Sequence, residues 1–165
     1  MFVLGVDPGL TRCGYGAVRK VGGRMRAEAA GVLTTPASAA LPARLAELQA
    51  NLRSLLLELR PDAVAVERIF FQANVRTAMS VGQASGVVLA EGAAAGCAVA
   101  EYTPTQVKSA VTGSGSADKG QVQRMVRSLL GLDQAPRPAD AADALALAIC
   151  HLAAAPLQAR VGAAR

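Results

Sequence analysis

Four acidic residues, at three sites along this chain, are placed where carboxylates can do chemistry. Asp7 ends a short apolar run, Glu67 ends a second one, and Asp140 and Asp143 lie three residues apart at the start of a helical pattern. A spacing of three puts the last two side chains on one helix face, about 5–6 Å apart. In α/β sheets functional groups collect at strand ends, where side chains leave the packed interior. Each acid also has a plain structural use. Asp7 can open the Asp7-Pro8-Gly9 turn, and Asp140 can cap its helix while Asp143 answers the helix dipole. Glu67 is harder to place that way, because an acid closing a buried strand needs a partner.

Brought together, the four would repel strongly. Two carboxylates about 4 Å apart cost roughly 4 kcal/mol at an effective dielectric of 20. Divalent cations resolve this, and an all-oxygen ligand set favours Mg²⁺ or Mn²⁺. Two such ions can activate a water and stabilise the leaving oxygen of a phosphodiester. A zinc centre is not expected, because Cys13, Cys97 and Cys150 are dispersed and His151 is the one histidine. His151 reads as a residue of a terminal helical turn.

A second group of residues suits a polyanion. Lys108 and Lys119 flank the Gly113–Ser116 loop, Arg124 and Arg127 follow, and Asp118 is the one acid among them. Lysines at the ends of a flexible loop can follow a phosphate backbone and release counterions, though the stretch also fits a solvated face. It is not a nucleotide-binding loop, since Gln121-Val122 stands where Lys-Ser/Thr is needed. Phe70 and Phe71 follow Glu67 closely; one suits the core, and the other can stack on an unpaired base.

The elements that must position these groups are legible in outline. Residues 2–6, 15–20 and 25–34 predict three neighbouring strands, with Gly22-Gly23 as a turn. Leu41, Leu45, Leu48, Leu52, Leu55 and Leu59 recur at helical spacing. Residues 63–66 predict a buried strand running into Glu67. Asn74 is an N-cap for a helix reaching about Gly96, and residues 97–102 predict a fifth strand. Thr103-Pro104 opens a short helix; further helices are expected near 120–130 and over 139–155. The order βββαβαβ followed by helices is α/β, with a five-stranded mixed sheet flanked by helices.

One domain is expected over residues 1–155, with 156–165 a loosely held tail. The 17 Lys and Arg against 12 Asp and Glu give a net charge of +5, which favours phosphate-rich partners. The first apolar run stops at Asp7, too soon for a signal peptide, and residues 77–90 are too short to span a bilayer. A cytoplasmic protein with free thiols and no membrane partner is the expectation.

Residues 3–9 (VLGVDPG), 66–70 (VERIF) and 140–145 (DAADAL), with 106–108 (QVK) and 115–119 (GSADK), closely resemble the RuvC family of bacterial Holliday-junction resolvases. The match runs from the first strand to the last helix. The resemblance implies a ribonuclease H-like fold with Asp7, Glu67, Asp140 and Asp143 as metal ligands. It implies a homodimer that nicks two opposing strands of four-way junction DNA, beside a branch-migration motor complex, with Phe70 as the stacking residue. The helix over 75–96 supports a dimer independently: no charge lies between Arg76 and Glu91, so a water-facing side is missing. A non-catalytic junction-binding module is one alternative, against which the four intact acids argue, and two rivals share parts of this pattern. Another ribonuclease H-like nuclease would use the same acids on a different nucleic acid, and an actin-like kinase would need a second domain that 165 residues do not supply.

Overall fold

The computed structural model describes residues 1–68 and 75–162. Its elements are β1 (Phe2–Asp7), β2 (Arg12–Val21), β3 (Arg24–Thr34), α1 (Leu41–Leu59), β4 (Ala63–Glu67), α2 (Val75–Ala94), β5 (Ala98–Tyr102), α3 (Pro104–Thr112), α4 (Lys119–Leu130) and α5 (Ala139–Gly162). The sheet order is β3-β2-β1-β4-β5. The β1–β2 and β2–β3 pairs are antiparallel, and β1–β4 and β4–β5 are parallel. This is the expected mixed sheet.

β1 is apolar on both faces because it lies mid-sheet with helices on either side. Phe2, Leu4 and Val6 pack with Leu48, Leu52 and Leu56 of α1 and with Ala84 and Val88 of α2. Val3 faces the other layer, with α3, α4 and α5. Gly22 and Gly23 both have positive φ, 55° and 84°. That is the backbone a two-residue hairpin requires, and it joins β2 to β3.

The helix starts owe much to local chemistry. Thr103 caps α3 in a reciprocal box with Gln106, with Pro104 in the first turn. Asp118 caps α4 in the same way with Gln121. The second cap starts α4 at Lys119, one residue before the sequence pattern placed it. α5 continues through Pro156 to Gly162 rather than ending near residue 155. His151 is therefore not in a terminal turn. It is buried within α5, with Nδ1 2.9 Å from the Tyr102 hydroxyl. Its burial keeps the imidazole below its ordinary pKa.

α5 lies directly on the strands. A Cβ at Gly5 would strike the Ala144 carbonyl, and one at Gly14 would strike the Asp140 carbonyl. At Gly16 it would come within 2.7 Å of the Leu145 backbone nitrogen. Ala141, Ala144 and Ala148 on the helix are fully buried. Small residues on both sides bring helix and sheet to backbone contact, and this sets the height of the first turn of α5 above β1 and β2. A methyl group at Gly5 meets backbone that cannot rotate away. Gly5→Ala should therefore destabilise the fold by about 3 kcal/mol, read as a lower urea midpoint at unchanged slope. Wild-type stability in that variant would mean the close packing is not required.

Candidate active site

Strand alternation explains why Asp7 and Glu67 meet. Val6 pairs with Val66 in the parallel β1–β4 ladder, so the next residues of both strands lie side by side. Asp7 follows Val3 and Gly5 on the face covered by α5, and Glu67 follows Ala63 and Ala65 on that same face. Asp7 also pairs with Gly14 of β2, the residue on which Asp140 rests. The first turn of α5 thus brings Asp140 and Asp143 over the ends of β1 and β4. All four predicted acids converge, and Asp140 and Asp143 add to the negative field at Asp7.

The chain compensates these carboxylates in three ways. Asp7 and Glu67 are hydrogen-bonded to each other, and burial drives both carboxyls above their ordinary range. The contact raises Asp7 further and opposes the rise at Glu67, so the two carboxyls hold a proton between them. Asp140 is paired with Arg12 at 2.8 Å, and Asp143 with Lys119 at 2.8 Å. The Arg12 guanidinium holds Asp140 below the usual carboxylate range. The hydrogen bond to Asp143 holds the Lys119 ammonium above its own. Among the described residues no three acidic, His or Cys side chains stand ready around a common point. Two of the four carboxylates are turned onto cations, which accounts for that.

The donor set nonetheless fits a hard divalent ion. All four groups are oxygen donors, and the proton between the Asp7 and Glu67 carboxyls is one that a cation can replace. Beside them opens a cleft of about 280 Å³ lined by Glu67, Val107, Lys108, Lys119, Val122 and Asp143. Lys108 and Lys119, predicted as phosphate contacts, thus border the same opening as Glu67 and Asp143. Arg124 is exposed, and Arg127 spends its Nε–H on the Leu132 carbonyl at 3.2 Å, closing the end of α4. Phe70, Phe71 and Asn74 lie outside the described residues.

Sequence reasoning did not single out Arg12. The available signal was its spacing: two residues before Gly14 on β2, it shares the strand face that α5 covers.

Known proteins are similar to this chain in both fold and sequence. The family model "Crossover junction endodeoxyribonuclease RuvC" matches residues 3–151. A crossover junction endodeoxyribonuclease RuvC of Syntrophomonas wolfei is 55% identical over 152 residues, covering 92% of this chain and 88% of that protein. The Thermus thermophilus RuvC structure superposes with a TM-score of 0.88 at 40% identity, covering 96% of this chain and 97% of the other. The structure of Thermus thermophilus RuvC in complex with Holliday junction substrate gives 0.87 at 39% identity, covering 95% and 96%. The fold is ribonuclease H-like, as the sequence resemblance implied.

The shared proton has a consequence in the protein freed of divalent ions by a chelator. Folded Asp7 keeps a proton that the unfolded chain releases near pH 4, so stability falls as pH rises from there toward the raised folded value. Asp7→Asn removes that titration. Its melting temperature should fall less between about pH 5 and pH 8, and should exceed the wild-type value at the upper end. Identical pH profiles would show that no proton is shared.

Proposed function

The chain belongs to the RuvC family of crossover junction endodeoxyribonucleases, enzymes that resolve Holliday junctions, and we propose that Asp7, Glu67, Asp140 and Asp143 are its catalytic, metal-ligating residues. One observation carries this: four carboxylates from three distant segments converge beside a cleft that also presents Lys108 and Lys119. Residues 1–155 form the nuclease domain, followed by the 156–165 tail.

The four acids would hold Mg²⁺ or Mn²⁺, two ions per site, which when bound supply an acidified water and charge for the phosphate oxygens. The remaining work belongs to the chain. Asp7 and Glu67, as carboxylates, would present neighbouring oxygens fixed by two parallel strands. Lys108 and Lys119 flank the approach and neutralise backbone phosphates, a contact indifferent to base sequence. Phe70 stacks on a base at the crossover. The apolar cleft wall, Val107, Val122 and Leu147, limits water around the reacting phosphate.

The substrate is four-way junction DNA, cut by paired nicks in opposing strands. Amide replacement at any of the four acids removes a ligand while keeping shape. Such variants should lose cleavage of a synthetic junction in Mg²⁺ by at least about a thousandfold on a denaturing gel, with junction affinity retained or raised. Normal cutting by Asp7→Asn would sink the assignment.

Paired nicks call for two sites, and α2 supports a homodimer. Ser85, Val88, Glu91 and Gly92 turn inward, with Glu91 paired to Arg53 of α1 at 2.8 Å. The other side has no cover from the described chain. Met79 is 58% exposed, and a Cβ at Gly82 or Gly86 would meet nothing within 4 Å. An isologous contact along this stripe would set two carboxylate sites across a two-fold axis, matching the symmetry of the junction. A branch-migration motor complex is its working partner, and the cytoplasm its compartment. No helix of the described residues is long and apolar enough to cross a membrane.

Gly86→Arg should leave the fold intact, because the added side chain has open space within the monomer. It should shift the protein to monomer in light scattering at micromolar concentration and abolish coordinated nicking of both strands. A wild-type protein that is monomeric with and without junction DNA would refute the dimer.

A further inference from the structure

Arg12 opens β2, paired with Thr34, and projects to the face that carries Gly14 and the start of α5. Its Nε and Nη2 both donate to one atom, Oδ2 of Asp140, at 3.2 and 2.8 Å. That oxygen is occupied by two N–H groups. A divalent ion coordinated by Asp140 needs a carboxylate lone pair, and Arg12 already engages those of Oδ2. The pair is open to water, with side chains 48% and 32% exposed. Such ion pairs are weak enough to exchange partners.

The matching contact at Asp143 differs in kind. Lys119 borders the cleft and has a second use there, on phosphate. Arg12 is not among the residues bordering that cleft. Its contact with the site runs through Asp140.

We propose that Arg12 is a positioning residue that competes with the divalent ion for Asp140. It holds that carboxylate by Oδ2 while no ion is bound, and an ion that takes Oδ2 must displace it. Arg12 thereby raises the ion concentration at which the site fills. The proposal rests on the four carboxylates being the ion site, and the two ideas fail differently.

The test is binding of Mn²⁺ to the full chain without DNA, measured by calorimetry and by the spin-resonance signal of the free ion. Arg12→Gln should bind about three- to tenfold more tightly than the wild type, the range expected for losing a half-exposed competing ion pair. Arg12→Lys keeps the charge but offers no planar fork, so it should fall between the two. Should Arg12→Gln fail to fold by circular dichroism, tighter binding by Arg12→Lys supports the competition equally. A residue that only braced the fold would give unchanged or weaker binding in both variants, and that result overturns the competition. No Mn²⁺ uptake by the wild type, with Asp140→Asn behaving identically, would overturn the ion-site assignment and the competition with it.

Discussion

Backbone contact between α5 and the strands β1 and β2 is the constraint on which the rest of this molecule depends. A helix on a sheet is ordinarily held off by side chains from both surfaces. Here Gly5, Gly14 and Gly16 meet Ala144, Ala148, Asp140 and Leu145 with almost nothing between. The approach buries Ala141, Ala144, Leu145 and Ala148 completely or nearly so. It also lowers the helix start until Asp140 rests on Gly14, opposite Asp7. Side chains of ordinary size at those glycines would lift two of the four acids away from the other two.

That proximity creates an electrostatic problem, and the chain answers it in graded fashion. The pair nearest the interior, Asp7 and Glu67, is compensated by a proton, the least bulky positive charge available. The outer pair takes one guanidinium and one ammonium from more exposed positions. Three of four negative charges are thus offset by groups of the chain itself. Every one of these compensations is reversible: a proton can leave, and both ion pairs face water. A site that folded around permanent internal counter-charges would have no capacity left for a cation. The same logic separates Glu91, whose buried carboxylate is held by Arg53 and Gln49 at 2.6–2.9 Å and serves to join α1 to α2. Truncating one partner there would strand a buried charge, so that pair behaves as part of the framework.

The two faces of α2 show how a single helix can serve core and surface with almost no charge. Its inner stripe packs on β4 and β5, where a Cβ at Gly92 would crowd Val99 and Val64 at 3.1 and 3.3 Å. Its outer side is small and uncharged, with Met79 and Gln83 exposed beside Gly82 and Gly86. For a single chain, such a stripe leaves apolar surface in water without a compensating contact.

Local pattern carried much of this. Short continuous apolar runs put Asp7 and Glu67 at the ends of buried strands, and a spacing of three put Asp140 and Asp143 on one helix face. The leucine repeat marked both ends of α1, and Thr103-Pro104 marked the start of α3. Those features depend on backbone geometry over a few residues, which a sequence carries directly. Family likeness added the expectation that the four acids meet. What the tertiary structure alone decided are the partnerships across long separations. Arg12 reaches Asp140 over 128 residues, Lys119 reaches Asp143, and His151 is buried against Tyr102 rather than closing a helix. No periodicity encodes these, because each depends on how closely α5 seats on the sheet and how far it continues. That distance is set by packing of glycine on alanine, and only the folded chain displays it.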